Sequence, residues 1–439
     1  MSPPRFELDL YRQRRLELIQ AMGEGVMVIA QAPEVVRNRD AHYPYRHDSY
    51  FHWLTGFPEP EAVVVLRAGR RPRQVLFCRE KNAERETWDG PRLGPKAAAE
   101  LYGFDAAHPM GQLDRRMLRY LADQPAVYYL IGRDSAWDAR VIGWLNALRA
   151  QGRRGVRAPQ QLIDARALLD ERRLVKDAHE LALMRRAAEI SAAAHRRAMR
   201  AAAPGRYEYE IEAELTHEFR RLGAAAPAYT PIVAGGANAC VLHYVANDQP
   251  LKDGDLLLID AGAEYAGYAA DITRTFPVSG RFSGAQRAVY EIVLAAQAAA
   301  IAEVRPDRPW NAPHEAAVRV LTQGLKDLGV LAGELDHLIE TEAYKPYYMH
   351  RTGHWLGMDV HDAGEYKLGG RWRPFRPGMV CTVEPGLYLC ARDDQVPAPY
   401  RGIGIRIEDD VVVTDTGSEV LTTAAPKTIE EIEAWMGGR

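Results

Sequence analysis

Residues 256–276, Leu-Leu-Leu-Ile-Asp-Ala-Gly-Ala-Glu-Tyr-Ala-Gly-Tyr-Ala-Ala-Asp-Ile-Thr-Arg-Thr-Phe, constrain the fold more than any other stretch of the chain. An apolar run ends on a carboxylate, Asp260, and Asp271 stands directly before the β-branched and aromatic residues Ile272, Thr273, Thr275 and Phe276. Both patterns are those of strands. A reversal about Tyr265–Ala266 makes them a hairpin with Asp260 opposite Asp271, and cross-strand neighbours lie about 4.5–5.5 Å apart at Cβ. Two carboxylates that close repel each other unless a cation or a proton lies between them. The rest of the chain must supply a sheet to hold the hairpin and partners for its charges.

With 439 residues the chain is too long for one core, and two domains are expected. Its net charge of −3 lacks the basic bias of a nucleic-acid binder. No apolar run reaches the roughly 18–20 residues of a membrane span, and the first residues show no secretory signal pattern. Cys78, Cys240, Cys381 and Cys390 lack CxxC spacing, which fits free thiols in a reducing cytoplasm and excludes a zinc ribbon. Cytoplasmic localisation is therefore the expectation.

Residues 1–173 read as an α/β domain, with strands at Gly25–Ala30, Glu61–Leu66, Gln74–Cys78 and Val127–Ile131 and a helix at Trp137–Gln151. Residues 174–439 read as α+β. Helices at Ala178–Ala203 and Tyr207–Leu222 precede strands that end in the Asp260/Asp271 hairpin. The order then restarts with a capping box at Ser283–Gln286, a helix to about Val304 and a second helix at Pro313–Leu328, followed by strands from Tyr347 to about Thr414. Two helices then strands, twice, suggest a duplicated half with helices over one face of a curved sheet.

Further chemistry lies downstream, in His350-Arg-Thr-Gly-His354-Trp-Leu-Gly-Met-Asp-Val-His361-Asp, in Val383-Glu384-Pro-Gly-Leu-Tyr388 and in Gly402-Ile-Gly-Ile-Arg406-Ile-Glu408. Glu384 and Glu408 each interrupt an apolar strand pattern. A buried carboxylate costs several kcal/mol unless it is paired or holds a metal. Four arginines could pair Asp260, Asp271, Glu384 and Glu408 one by one. A pair of divalent cations, with one imidazole completing the shell, satisfies all four together. Gly353 and Gly357 argue against a helix through His350 and His354, and His361 can simply pair with Asp362. Arg406 and Glu408 share a strand face, so Arg406 is a candidate partner of Glu408. HExxH, GxSxG and GxxxxGK[ST] are all absent.

The order Asp260, Asp271, His354, Glu384, Glu408 resembles the ligand set of the pita-bread metallohydrolases. The motifs Leu-Ile-Asp-Ala-Gly, Asp-Ile-Thr-Arg-Thr-Phe, His-Trp-Leu-Gly-Met-Asp-Val-His-Asp, Val-Glu-Pro-Gly-Leu-Tyr and Gly-Ile-Arg-Ile-Glu-Asp-Asp resemble those of bacterial aminopeptidase P, the Xaa-Pro aminopeptidases. The resemblance runs over nearly the whole chain, including Tyr43–Arg46 and Leu54–Phe57. It implies a C-terminal pita-bread catalytic domain and a smaller N-terminal domain that restricts substrate and takes part in a homodimer or homotetramer. It implies two divalent ions, with Mn²⁺ favoured by the carboxylate-rich shell and Co²⁺, Zn²⁺ or Fe²⁺ also compatible. Asp271 and Glu408 would bridge them, Asp260 would hold one, and His354 and Glu384 the other. Glu384 would also shuttle protons. His243 and His361 would contact the scissile carbonyl, His350 and Arg406 would orient the proline end or the ligands, and Tyr388 and Trp88 would line the substrate pocket.

The expected activity is removal of the N-terminal residue from peptides with proline second, with no nucleic acid or membrane as partner. A prolidase, cutting Xaa-Pro dipeptides only, shares all five ligands. A methionine aminopeptidase generally lacks so large an N-terminal domain. Metal-free relatives that act in creatine chemistry or as binding modules lose the ligands kept here. The chain departs from the family pattern at Arg351-Thr352-Gly353.

Overall fold

The computed structural model describes residues 5–438. The chain divides into two compact units, residues 1–170 and 171–439. The first contains a six-stranded sheet in the order Ala106–Pro109, Gln74–Cys78, Val63–Arg67, Val26–Ala30, Ala126–Tyr129, Gln161–Asp164. Val63–Arg67 runs antiparallel to both of its neighbours, and the other pairs are parallel. Val26, Val63, Val65, Phe77, Leu121 and Trp144 form its core with the helices. Parallel strands need covered faces, which is why these strands read as apolar runs rather than alternating ones.

In the second unit the helix Ala178–Ala201 starts at a capping box, with Asp177 accepting from the backbone of Glu180 and Glu180 returning the bond. It stops at Ala202, whose extended backbone leads into Ala203-Pro204. Its buried face is largely alanine, so the helix lies close to the strands beneath. From that face the His195 imidazole bonds the Ala261 carbonyl at 2.9 Å, and Ser191 Oγ accepts the Ala263 N–H at 2.9 Å. These two contacts hold the backbone immediately after Asp260.

Leu256–Asp260 is the centre of a three-stranded antiparallel sheet between Ile232–Gly235 and Thr273–Pro277. The register differs from the sequence expectation. Asp260 pairs with Thr273, not Asp271, and Tyr265 pairs with Tyr268. Reversal about Tyr265–Ala266 leaves no loop residues. The chain instead turns through Ala266 and Gly267, both at positive φ (50° and 84°), as a two-residue hairpin of type I′ requires. A shift of two residues preserves the faces, so both aspartates still point the same way.

The second half repeats the pattern, with helices Gly284–Glu303 and Ala312–Asp327 followed by strands. Ser283 and Gln286 form the expected capping box. Residues 347–366, expected to hold strands, are irregular. Gly353 and Gly357 explain why: a Cβ on Gly353 would lie 2.0 Å from the Thr382 carbonyl oxygen, and one on Gly357 would lie 2.2 Å from Asp362 Oδ2. The backbone passes too near its neighbours for a regular strand with side chains. Val380–Val383 pairs with Asp409–Val413, and Gly386–Leu389 with Ile403–Arg406.

Helices and strands of both halves share one core that includes Phe219, Ile259, Phe276, Tyr290, Leu321, Trp355 and Ile407. Arg274 clamps the halves together. Its fully buried guanidinium donates to Asp409 Oδ1 at 2.7 Å, the Glu408 carbonyl at 2.6 Å and the Ala425 carbonyl at 3.0 Å. Removing one partner of a buried pair typically costs about 3–5 kcal/mol. Arg274→Ala should therefore lower the urea unfolding free energy by that amount, and a loss below about 1 kcal/mol would show the clamp to be dispensable.

Candidate metal centre and active site

The five expected ligands converge in the C-terminal unit. Asp260 ends its strand, and Asp271 follows the hairpin turn. Tyr229 Oη sits between them, 2.5 Å from Asp260 Oδ1 and in hydrogen-bond contact with Asp271 Oδ1. His354 reaches the site because residues 352–355 run alongside the Val380–Val383 strand. The Thr382 N–H donates to the His354 carbonyl at 3.0 Å, and the Glu384 N–H to the Thr352 carbonyl at 2.8 Å. This pairing sets His354 Nε2 3.6 Å from Glu384 Oε1 and 3.4 Å from Asp271 Oδ2. Glu408 enters where the chain crosses the hairpin, its N–H on the Thr273 carbonyl at 3.1 Å and its Oε2 accepting from Thr273 Oγ1 at 2.6 Å. One ligand atom each from Asp271, His354 and Glu408 lies within 4.8 Å of the others.

Arg406 corrects a sequence expectation. Its direct carboxylate partner is Asp260, at 2.6 Å, and it reaches Glu408 only through the Thr273 hydroxyl. Arg406 Nη1 donates to Tyr388 Oη at 3.0 Å, and Tyr388 Oη lies 2.8 Å from His350 Nε2. His350 Nδ1 lies 2.8 Å from the Arg351 carbonyl, which can only accept. Burial first, then the Arg406 charge, pulls His350 down to about 4, so its ring is neutral. The chain of donors is therefore fixed: Arg406 to Tyr388, Tyr388 to Nε2, Nδ1–H to the backbone. Both ring nitrogens are spent within the protein, so His350 can offer a substrate only its ring face and edge.

His361 is exposed and stands edge-on to His354 with ring centroids 4.4 Å apart. It does not pair with Asp362, which is buried between Arg173 and Lys176 at 2.6 and 2.9 Å. His243 is also exposed and lies close enough to His350 and His361 to act on both electrostatically. Trp88 belongs to the N-terminal unit, on the short helix Ala83–Asp89, and is 81% exposed. Sequence reasoning missed Tyr229, Thr273 as a link between Arg406 and Glu408, and Asp410, whose carboxylate accepts the Asp271 N–H at 3.2 Å. Tyr229 carries only a weak signal, an aromatic two residues before a proline that opens an apolar strand.

Four acidic groups face one arginine and one imidazole. Burial, reinforced by the neighbouring carboxylates, lifts Asp260, lifts Glu408 well above the usual range and lifts Glu384 to about 7. Burial alone would lower His354, but Asp271 and Glu384 hold it up at about 9. His354 Nδ1 lies 3.0 Å from the Trp355 carbonyl, which leaves Nε2 facing the carboxylates. A surplus of buried oxygen donors with one oriented imidazole fits divalent cations, which would replace the protons now sharing the charge.

A stability profile follows. Glu384, raised from 4.5 to about 7, stabilises the metal-free fold below pH 4.5 and loses that contribution by pH 7. His354, raised from 6.5 to about 9, loses its contribution between those values. The metal-free protein should thus lose several kcal/mol of stability as the pH rises from 5 to 9. Metal competes with these protons, so the Mn²⁺-loaded protein should hold its Tm over that range. Thermal scans with chelator and with Mn²⁺ check this, and parallel curves would contradict it.

Comparison with known proteins agrees with this geometry. Residues 182–415 match the model of metallopeptidase family M24, and residues 11–128 match that of the aminopeptidase P N-terminal domain. The chain is 46% identical to the Xaa-Pro aminopeptidase of Escherichia coli K12, over 97% of each sequence. The chain belongs to the aminopeptidase P group of metallopeptidase family M24. It is 42% identical to the Haemophilus influenzae Xaa-Pro aminopeptidase over 97% of this chain and 96% of the relative. The solved structure of Pseudomonas aeruginosa aminopeptidase PepP superposes with a TM-score of 0.98 at 51% identity, covering 100% of this chain and 99% of the other. A substrate complex of an Escherichia coli aminopeptidase P variant superposes at 0.95 and 45% identity, covering 98% of each. The C-terminal unit is thus the pita-bread fold of this group, and the protein is a metal-dependent hydrolase.

Proposed function

We infer that this chain is an Xaa-Pro aminopeptidase, cleaving the bond between an N-terminal residue and a penultimate proline. One observation carries the substrate reading, the likeness to Xaa-Pro aminopeptidases over nearly the whole chain, and the buried convergence of four carboxylates and one oriented imidazole around a single arginine supports the metal-dependent chemistry. We further propose that two divalent ions bind there, Mn²⁺ being favoured. Asp271 and Glu408 would be shared between them, Asp260 would serve one, and His354 and Glu384 the other. Such a pair supplies Lewis acidity and a water made nucleophilic near neutral pH.

The chain's own residues do the rest. Glu384, whose Oε1 lies 3.6 Å from His354 Nε2, would take the proton of the attacking water and pass it to the proline nitrogen as that nitrogen leaves. Arg406 and Tyr229 hold Asp260 so that its carboxylate does not rotate away. His361, edge-on to His354, and His243 would hydrogen-bond the scissile carbonyl as charge develops on its oxygen. The His350 ring, locked by Tyr388 and the Arg351 carbonyl, offers a flat wall to the proline ring, whose fixed φ and missing N–H suit such a slot. Trp88 keeps a pocket-lining role in this proposal. So do a homodimer or homotetramer and a cytoplasmic setting; no helix among the described residues is long and apolar enough to cross a membrane.

The test is to strip the protein of metal, reload it with Mn²⁺ and compare Xaa-Pro-Yaa tripeptides, Xaa-Pro dipeptides and Met-Ala peptides. Cleavage of the tripeptides is expected. Cleavage confined to the dipeptides would make the protein a prolidase instead.

A further inference from the structure

An open cavity of about 710 Å³ lies beside His350, walled by Asn311, His314, Lys345, Tyr348, His350 and Arg351. Its size is that of a ligand pocket. His350 joins it to the active site, because its Nδ1 is 3.8 Å from Glu384 Oε2. With the proline against the His350 ring, the next residue of the substrate advances roughly 3.3–3.6 Å further. It then meets the side chain that follows His350 in sequence, Arg351.

Arg351 is the outward-facing member of the Arg351-Thr352-Gly353 departure from the family pattern. Gly353 is required by the nearby Thr382 carbonyl. Thr352 is buried, its hydroxyl held between His314 Nδ1 at 2.9 Å and Tyr348 Oη at 2.6 Å. Arg351 is exposed, rests against the Trp372 ring at 5.3 Å and bonds the Asn311 amide oxygen. Other cations of the wall are neutralised: Lys345 pairs with Glu342 at 2.5 Å, and Arg319 with Asp336 at 2.9 Å. Among the described residues no carboxylate pairs with Arg351. Glu315 reaches it only through the Asn311 amide, which donates to Glu315 Oε1. Burial first, and then the Arg351 charge, hold His314 down to about 3.

We propose that this cavity is the subsite for the third residue of the substrate, and that Arg351 selects there for a carboxylate, either the free C-terminus of a tripeptide or an acidic side chain. The proposal rests on the Xaa-Pro aminopeptidase reading. An arginine fork matches a carboxylate in two parallel bonds, and the Asn311 contact and the Trp372 face pre-orient it.

The test uses the full chain loaded with Mn²⁺ and four substrates: Ala-Pro-Ala as free acid, Ala-Pro-Ala amide, Ala-Pro-Glu amide and Ala-Pro-Lys amide. For an exposed charge pair, a KM about fivefold lower is expected for the free acid or the Glu amide than for the neutral amide, with the Lys amide poorest. The gap should narrow in salt. Preference for the free acid alone assigns the site to the chain terminus, and preference for the Glu amide alone assigns it to the side chain. In Arg351→Ala the KM ratio should fall to within twofold, and Arg351→Lys should keep part of it. Ratios within one variant cancel any loss of folded protein. Equal KM for all four in the unmodified protein, or a ratio that survives Arg351→Ala, overturns the proposal. Failure to cleave any of the four overturns the Xaa-Pro reading itself, and the subsite with it.

Discussion

Asp271→Ala should reduce kcat/KM by more than about 10³-fold and leave less than one tightly bound ion per chain, a loss larger than that of Asp260→Ala. The magnitude is that expected when a group positioning the reacting centre is removed. The asymmetry comes from the geometry. Asp271 is central: it touches Tyr229, faces His354 Nε2 at 3.4 Å, and has its N–H held by Asp410. Asp260 lies at the edge, with Oδ2 engaged by Arg406 and Oδ1 by Tyr229. A carboxylate shared by two ions should cost both when lost, and one that serves a single ion should cost that ion. Metal content by mass spectrometry, after dialysis against limiting Mn²⁺, reads the difference. Equal retention by the two variants would contradict the inequivalence of the two aspartates.

Glu384→Gln should lower kcat by about 10³–10⁴-fold while KM changes by only a few-fold at saturating Mn²⁺. Glutamine keeps an oxygen for a metal but cannot accept a proton. In the metal-free protein burial, only partly offset by His354 and Arg406, lifts Glu384 to about 7. Steady-state kinetics on a tripeptide decide the point. A kcat within tenfold of the unmodified enzyme would remove Glu384 from proton transfer and leave it a ligand only.

Much of the site was legible because three of the five ligands interrupt or end an apolar strand pattern with a charge. Asp260, Glu384 and Glu408 are visible for that reason, and the duplicated helix–strand order is visible from caps such as Asp177/Glu180 and Ser283/Gln286. The hairpin register was misread because pattern fixes the face of a strand but not its partner. Ala266 at positive φ, an unusual residue for that position, set the turn one residue later. Residues 347–366 open the stretch from Tyr347 to about Thr414 that the sequence assigns to strands. Close backbone approach at Gly353 and Gly357 overrode that assignment. The direct pairing of Arg406 with Asp260 was hidden because strand alternation describes neighbours along one strand and says nothing of what the opposite sheet presents. Tyr229 gives only its weak signal for the same reason: its importance lies in where the 229–231 segment passes.

The most direct test of the metal centre is anomalous diffraction from crystals of the full chain soaked in Mn²⁺. Two peaks about 3.5–4 Å apart, enclosed by Asp260, Asp271, His354, Glu384 and Glu408, are expected. A single peak there, or Mn²⁺ elsewhere with His354 still facing Asp271 and Glu384, would contradict the account.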